Sequence, residues 1–464
     1  MLSSLRLHAR VVTMLAVLAV TATLFAATMR TEDGTAEDQL KVRTSRDVST
    51  LPLKSKCTVV PRKELFITDL SVVEDCYRTT WRNDCPQPAY QPATQGAWTF
   101  GRLAEGIFGT TDPQELSDLT LRWLGQWHSP QTINGDTSPA RPNIKTLVVD
   151  PWDLADGQDD DVLDMTLAPL RLLAIVSRLD LRQNSGYSAG VTAGEGRFVF
   201  GVLRSNGQPS EFVVILEYGL DAADCSEVLD WARSWHSLGS IPSGDRYNAA
   251  LQEITDRFAS IGASPAKPNG SALNQLRTNE FLTSPWELRE FRLQPDPGSL
   301  GPAPLLQFTV AQTPANGHQR SALLANYANA NASAILNNQH IVPLTWNGVA
   351  FRGGRSHHAL DFNWDGPPPA CTSIRNDVRH NLSLNTCNGC HGGETDTVFK
   401  HVEPRAAGQE AQLSAFLTGN PLSIDMCNGI HSFGDIERRR VDLCQLLAKS
   451  CSQVEAEPSI SFAH

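Results

Sequence analysis

Arg197-Phe198-Val199-Phe200-Gly201-Val202-Leu203, then Asn206-Gly207, then Phe212-Val213-Val214-Ile215-Leu216-Glu217-Tyr218 reads as two β-prone runs joined by a turn dipeptide. Asn-Gly supplies the left-handed backbone of a tight hairpin turn. Both runs are too apolar to leave a face in water, so they predict central strands covered by helices. Helical periodicity follows at residues 224–238 and 245–261, with Ser243 placed to cap the second. Working outward, strands are predicted at 64–70, 286–293 and 304–310, and helices at 98–107, 113–127 and 321–337. Leu116, Leu119, Leu121, Leu124 and Trp127 form the apolar positions of the second of these helices. Strands and helices mix without a βαβ rhythm, which favours an α+β fold over a doubly wound sheet.

The chain has 464 residues, more than one core usually serves, so more than one domain is expected. The turn-and-linker sequence Asp365-Gly366-Pro367-Pro368-Pro369-Ala370 cannot continue a helix and marks a boundary. Beyond it no β-rich run occurs, and three short helical patterns suggest a small all-α domain over 371–464. The α+β domain then covers 57–365, preceded by a polar linker over 30–56.

Residues 1–29 read as a signal peptide or N-terminal anchor. Arg6, His8 and Arg10 form a basic stretch before an uncharged, largely apolar run over 11–29. The protein is therefore expected in the periplasm or outside the cell, touching a membrane only if that segment is retained. A formal net charge of -11 and the absence of a basic stripe argue against nucleic acid as a partner. Ten cysteines in an exported chain point first to disulfides. Cys57, Cys76, Cys85 and Cys225 lie early, while Cys371, Cys427, Cys444 and Cys451 lie late. Each half keeps an even number if the close pair Cys387 and Cys390 has another task.

That task is legible in Cys387-Asn388-Gly389-Cys390-His391. On one helical turn two sulfurs and an imidazole project to neighbouring positions, so both thiols can anchor a haem through thioethers while the histidine ligates iron. One covalent haem c per chain is expected, with Cys387 and Cys390 as anchors and His391 as proximal ligand. A plain Cys387–Cys390 disulfide is the competing reading. A zinc site with His401 lacks a second cysteine pair at suitable spacing.

Pro404-Arg405-Ala406-Ala407-Gly408-Gln409, Leu413 to Gly419, Met426 and the helical stretch 435–449 follow the motif. With it they resemble the class I cytochrome c domain over roughly the last ninety residues. The resemblance implies a turn before a helix, a methionine loop giving the second axial ligand, and a closing helix packed on the N-terminal one. Met426 is then the provisional sixth ligand, with His401 and His431 as alternatives, and Ala406 stands where the family usually has Leu. Ile374, Val378 and Leu382 would line the N-terminal helix, and Ile436, Leu443, Leu446 and Leu447 the closing one. Cys427 could pair with Cys444 or Cys451. The stretches 66–75, 194–201 and 269–280 also resemble those of uncharacterised exported bacterial proteins ending in a similar C-N-G-C-H domain.

Other signals carry less. Gly186-Tyr187-Ser188-Ala189-Gly190 matches a nucleophile elbow but leads into a strand where the elbow needs a helix. The acidic run from Asp153 to Asp164 places Trp152 and Leu163 at the end positions of a calcium loop, where neither offers a side-chain oxygen. His357-His358 reads as a surface loop. The expected function is single-electron transfer by an exported monohaem protein with an unidentified redox partner protein and no catalytic residues assigned. The alternative is a haem-free, disulfide-stapled binding or surface protein.

Overall fold

The computed structural model describes residues 46–47, 58–184, 192–296, 298, 301–359, 362–419 and 422–461. The N-terminal segment 1–29 and the elbow-like stretch 186–190 lie outside the described residues.

Eight strands form one antiparallel sheet. They are β1 (Phe66–Ile67), β2 (Leu170–Arg178), β3 (Thr192–Leu203), β4 (Pro209–Asp221), β5 (Leu273–Glu280), β6 (Trp286–Leu293), β7 (Leu305–Phe308) and β8 (Ser356–His358). The order is β1-β2-β3-β4-β5-β6-β8, and β7 also pairs with β6. The quoted hairpin sits at the centre, with Phe198 opposite Leu216 and Phe200 opposite Val214.

Alternation along the strands decides what covers each face. Phe198, Phe200, Val214, Leu216 and Leu276 point to one side and join a large core. That side is covered by α1 (Phe100–Phe108), α2 (Pro113–Leu124), α3 (Cys225–Ser237) and α4 (Asp245–Ala259), whose apolar stripes fill the same core. Asp112 and Asp224 cap α2 and α3 by accepting from backbone N–H groups of the first turn. Ser243 does not cap α4, because Gly244 occupies the N-cap position. The helix predicted over 321–337 breaks at Asn331 into α5 (Ala322–Ala330) and a short following turn of helix.

The opposite face overturns the expected small all-α cytochrome c-like domain. Val176, Val199 and Val213 of the sheet share a core with Leu384, Cys390, Val402, Phe416, Leu417 and Phe433. The C-terminal segment is thus the second cover of the large sheet. It also carries β structure in the hairpin β9 (Ser423–Ile424) and β10 (Ile430–His431). Its helices do not close on one another as expected. Val378 and Leu382 of α6 (Asn376–Leu384), with Ile374, pack against Tyr327, Phe362 and Trp364. Leu443 and Leu446 of α8 (Asp435–Ala448) belong to the large core instead. The physical reason is area: a sheet apolar on both faces must be covered twice, and these helices meet that need. All described residues fall within one unit, residues 40–464.

Disulfides join Cys76 to Cys85, Cys225 to Cys451 and Cys371 to Cys427, and Cys444 is also disulfide-bonded. Cys427 therefore pairs with neither Cys444 nor Cys451, and the Cys225–Cys451 bond crosses between the halves of the chain. These bonds fit an oxidising, extracytoplasmic compartment. Among the described residues no helix is long and apolar enough to cross a membrane.

Two predictions follow from buried charge. Arg182, fully buried, pairs with Asp442 of α8 and with Glu457. Asp442→Ala should lower unfolding free energy by about 3 kcal/mol in urea titration, since it removes a carboxylate partner of a fully buried arginine. Burial pushes the Glu280 carboxyl from 4.5 up to about 7, against the pull of Arg141. Between those values the folded chain binds more protons than the unfolded one, so this contribution to stability is lost as pH rises through the window. Glu280→Gln should flatten that fall in denaturant titrations across it.

Candidate functional site

Helix α7 (Cys387–Cys390) is a single turn built from local constraints. Thr386 caps it, its Oγ1 accepting from Gly389 N–H at 3.1 Å. A Cβ at Gly389 would lie 2.2 Å from the Ser383 carbonyl oxygen, so glycine is required by close approach. Asn388 donates to Asn316 Oδ1 and Trp364 donates to both Asn388 Oδ1 and Thr386 Oγ1, which ties the turn to the body of the protein.

Cys387 and Cys390 are the free cysteines among the described residues, and both are buried. Burial pushes their thiols up to about 12 and about 11. They are not bonded to each other, and they flank different packing environments. Cys387 meets Trp286, Leu288 and Val310, whereas Cys390 joins the core between sheet and C-terminal segment.

A cavity lies between α7 and the sheet. Val176, Val199, Val213 and Ile215 form its floor, and Cys390, His391, His401, Phe416 and Leu417 its opposite wall. The structure brings His401 into this cavity but not Met426, which lies in the β9–β10 turn beside the Cys371–Cys427 disulfide. His431 is elsewhere too, stacked on His380 at 3.5 Å and paired with Asp425 and Asp47.

His391 donates from Nδ1 to the Phe399 carbonyl oxygen at 2.7 Å. Burial drives its pKa down to about 3, and burial likewise holds His401 well below the ordinary histidine value. Both rings are thus neutral, the form in which imidazole binds a metal. Their centroids lie 4.3 Å apart, and His401 Nε2 is 3.4 Å from Cys390 Sγ. An ion held between two opposed imidazoles would keep centroids roughly 6 Å apart, given nitrogen–metal bonds of about 2 Å. His401, tethered through Nδ1 to Ser414 Oγ at 2.9 Å, would have to swing outward.

One wall of the cavity is charged. Arg197, Glu217 and Arg277 form a buried ladder across β3, β4 and β5, joined by ion pairs of 2.9–3.2 Å. Arg439 is different. It is 6 % exposed, pairs with Asp435, and leaves Nε and Nη1 without hydrogen-bond partners. Burial lowers its pKa to about 9. Burial alone would raise the Asp435 carboxyl, but Arg438, Arg439, Arg178 and Arg46 outweigh it and hold the group well below the carboxylate range. Cys390, two neutral imidazoles, an apolar floor and an arginine short of acceptors thus line one cavity, a set suited to an apolar group with carboxylates, and Cys387 lies outside that lining.

Several contributors escape sequence reading. Arg46 falls in the stretch expected to be linker, yet it is buried, donates to Leu384 O at 2.7 Å and lies 3.8 Å from Cys390 Sγ. His358 is not on a surface loop: it is buried in β8, packs tilted against Trp286 with centroids 4.8 Å apart and meets His391 O at 3.1 Å. The signal that could have located the charged wall is the alternation Gln275, Arg277, Asn279 on β5. The acidic run 153–164 is a mostly exposed loop.

The cluster His380, Asp425 and His431 holds potential ligand atoms within 4.8 Å of one another. The two rings are parallel within 5°, so their in-plane lone pairs do not converge. Asp425 already accepts from Asn376, His431, Arg379 and two backbone N–H groups. This is a structural clamp on the β9–β10 turn.

Comparison of the chain with protein-family models, with curated proteins and with solved structures finds no match.

In protein made without haem attachment, iodoacetamide should alkylate Cys387 and Cys390 on the order of 100–1,000-fold more slowly than an ordinary thiol, because so little thiolate forms near neutral pH. Mass spectrometry before and after unfolding checks this, with full labelling expected only after unfolding.

Proposed function

We propose that this is an exported monohaem protein that passes single electrons, with haem c held covalently by Cys387 and Cys390 and ligated by His391. The observation that carries the reading is that, among the described residues, these two cysteines alone are spared from disulfide formation, with Cys390 at the wall of a cavity beside a neutral, Nδ1-anchored histidine. Haem supplies one-electron chemistry that no side chain here offers. The chain's own residues hold it permanently, exclude water along the valine floor, and present Arg439 to its carboxylates. The periplasm or the extracellular space is the proposed location.

His401 is favoured over Met426 and His431 as the sixth ligand, because it alone of the three lines the cavity with His391. An imidazole there favours the ferric state more than a thioether does. The partner would be another redox protein, and no feature argues for nucleic acid.

The test is expression in a host with the c-type cytochrome maturation machinery, followed by a pyridine haemochrome spectrum. One haem per chain is expected, and a colourless protein contradicts the proposal. In the coloured protein, His401→Ala should convert the ferric spectrum from low spin to high spin. Met426→Ala should leave it unchanged. The reverse outcome moves the ligand to Met426.

A further inference from the structure

We propose that Asn279, a residue of the large sheet, is a positioning residue for His391 that shares the carbonyl accepting its Nδ1–H and so limits the polarisation of that ring. The inference rests on the haem reading above and deepens it, because it assigns the large sheet a part in setting the properties of the iron.

An indole N–H can only donate, and Trp286 Nε1 donates to Asn279 Oδ1. The amide orientation is thereby settled, and its NH₂ group faces the motif. Nδ2 donates to the Phe399 carbonyl oxygen at 2.9 Å and lies 3.4 Å from His391 Nδ1. The same carbonyl is 2.7 Å from His391 Nδ1. A carbonyl only accepts, so the hydrogen sits on Nδ1, the tautomer in which Nε2 is the nitrogen that would ligate a metal.

Trp286 also sets the plane of the ring, stacked on His391 with centroids 5.4 Å apart and planes 27° from parallel. Asn279, Trp286 and His391 are all buried, so water does not replace any of these bonds. Asn279 and Trp286 sit on neighbouring strands, Asn279 directly opposite Leu288 on β6. The arrangement is built by the sheet and not by the motif's own segment.

Two donors share one carbonyl oxygen, so each bond is weaker than it would be alone. Less negative charge is drawn onto the imidazole, and the ferric state of the bound iron is less stabilised. Removing the Asn279 amide frees Phe399 O for His391. Replacing it with a carboxylate adds a second acceptor beside Nδ1–H.

The experiment measures the haem midpoint potential by spectroelectrochemistry in the intact, matured protein. Asn279→Leu should shift it negative, and Asn279→Asp should shift it further in the same direction. Both variants loaded with haem at the wild-type midpoint overturn the proposal. If the leucine variant fails to mature, Trp286→Phe, which lets the amide turn, should show the same sign of shift, and an unchanged midpoint there is equally contrary. Nitrogen NMR of wild-type protein with labelled histidine should place the His391 proton on Nδ1, and a proton on Nε2 overturns the proposal. A wild-type protein without haem sinks the haem reading instead, and the same NMR measurement on that protein still decides the tautomer.

Discussion

Two strands, Thr192–Leu203 and Pro209–Asp221, carry apolar side chains on both faces, and this doubles the surface the fold must remove from water. One set, from Phe198 to Tyr218, meets the four long helices. The other, including Val199 and Val213, would stay wet unless the end of the chain returned across it. Burying a valine of this kind is worth about 1.5–3 kcal/mol, so leaving several exposed would exhaust a typical margin of stability. The C-terminal segment is held to that face by apolar packing, by Arg405 donating to Leu172 O and Val73 O, and by the Arg182 ion pairs on the other side.

The same constraint creates the site. Because the motif turn is pressed onto a sheet and not enclosed by its own helices, the residues that surround it come from strands far away in sequence. Asn279 and Trp286 reach His391, while Arg197, Glu217 and Arg277 form a charged wall whose members satisfy one another. Arg439, by contrast, leaves Nε and Nη1 without a hydrogen-bond partner.

Local signals proved readable where propensity, turn chemistry and burial agree. The Asn206-Gly207 hairpin, the strand at 286–293 and the helices after Asp112 and Asp224 are of this kind. The separation of Cys387 and Cys390 from the disulfide cysteines was also legible, because the two lie close together and apart from the rest in sequence. What misled was the small-domain expectation: the stripes on 374–382 and 443–447 are real, but a stripe does not name its partner, and here each faces a different core. Disulfide connectivity failed for the same reason, since Cys225–Cys451 depends on a long-range fold. Arg46 was hidden by its polar neighbourhood, and His358 by the reasonable habit of placing adjacent histidines at the surface.

Peptide mass mapping of the chain recovered from an oxidising compartment of a host able to attach haem reads the chemical state of the two sulfurs directly. The peptide spanning Cys387 to His391 is expected to carry one haem through both cysteines. Recovery of that peptide with an intact Cys387–Cys390 disulfide and no haem would contradict it.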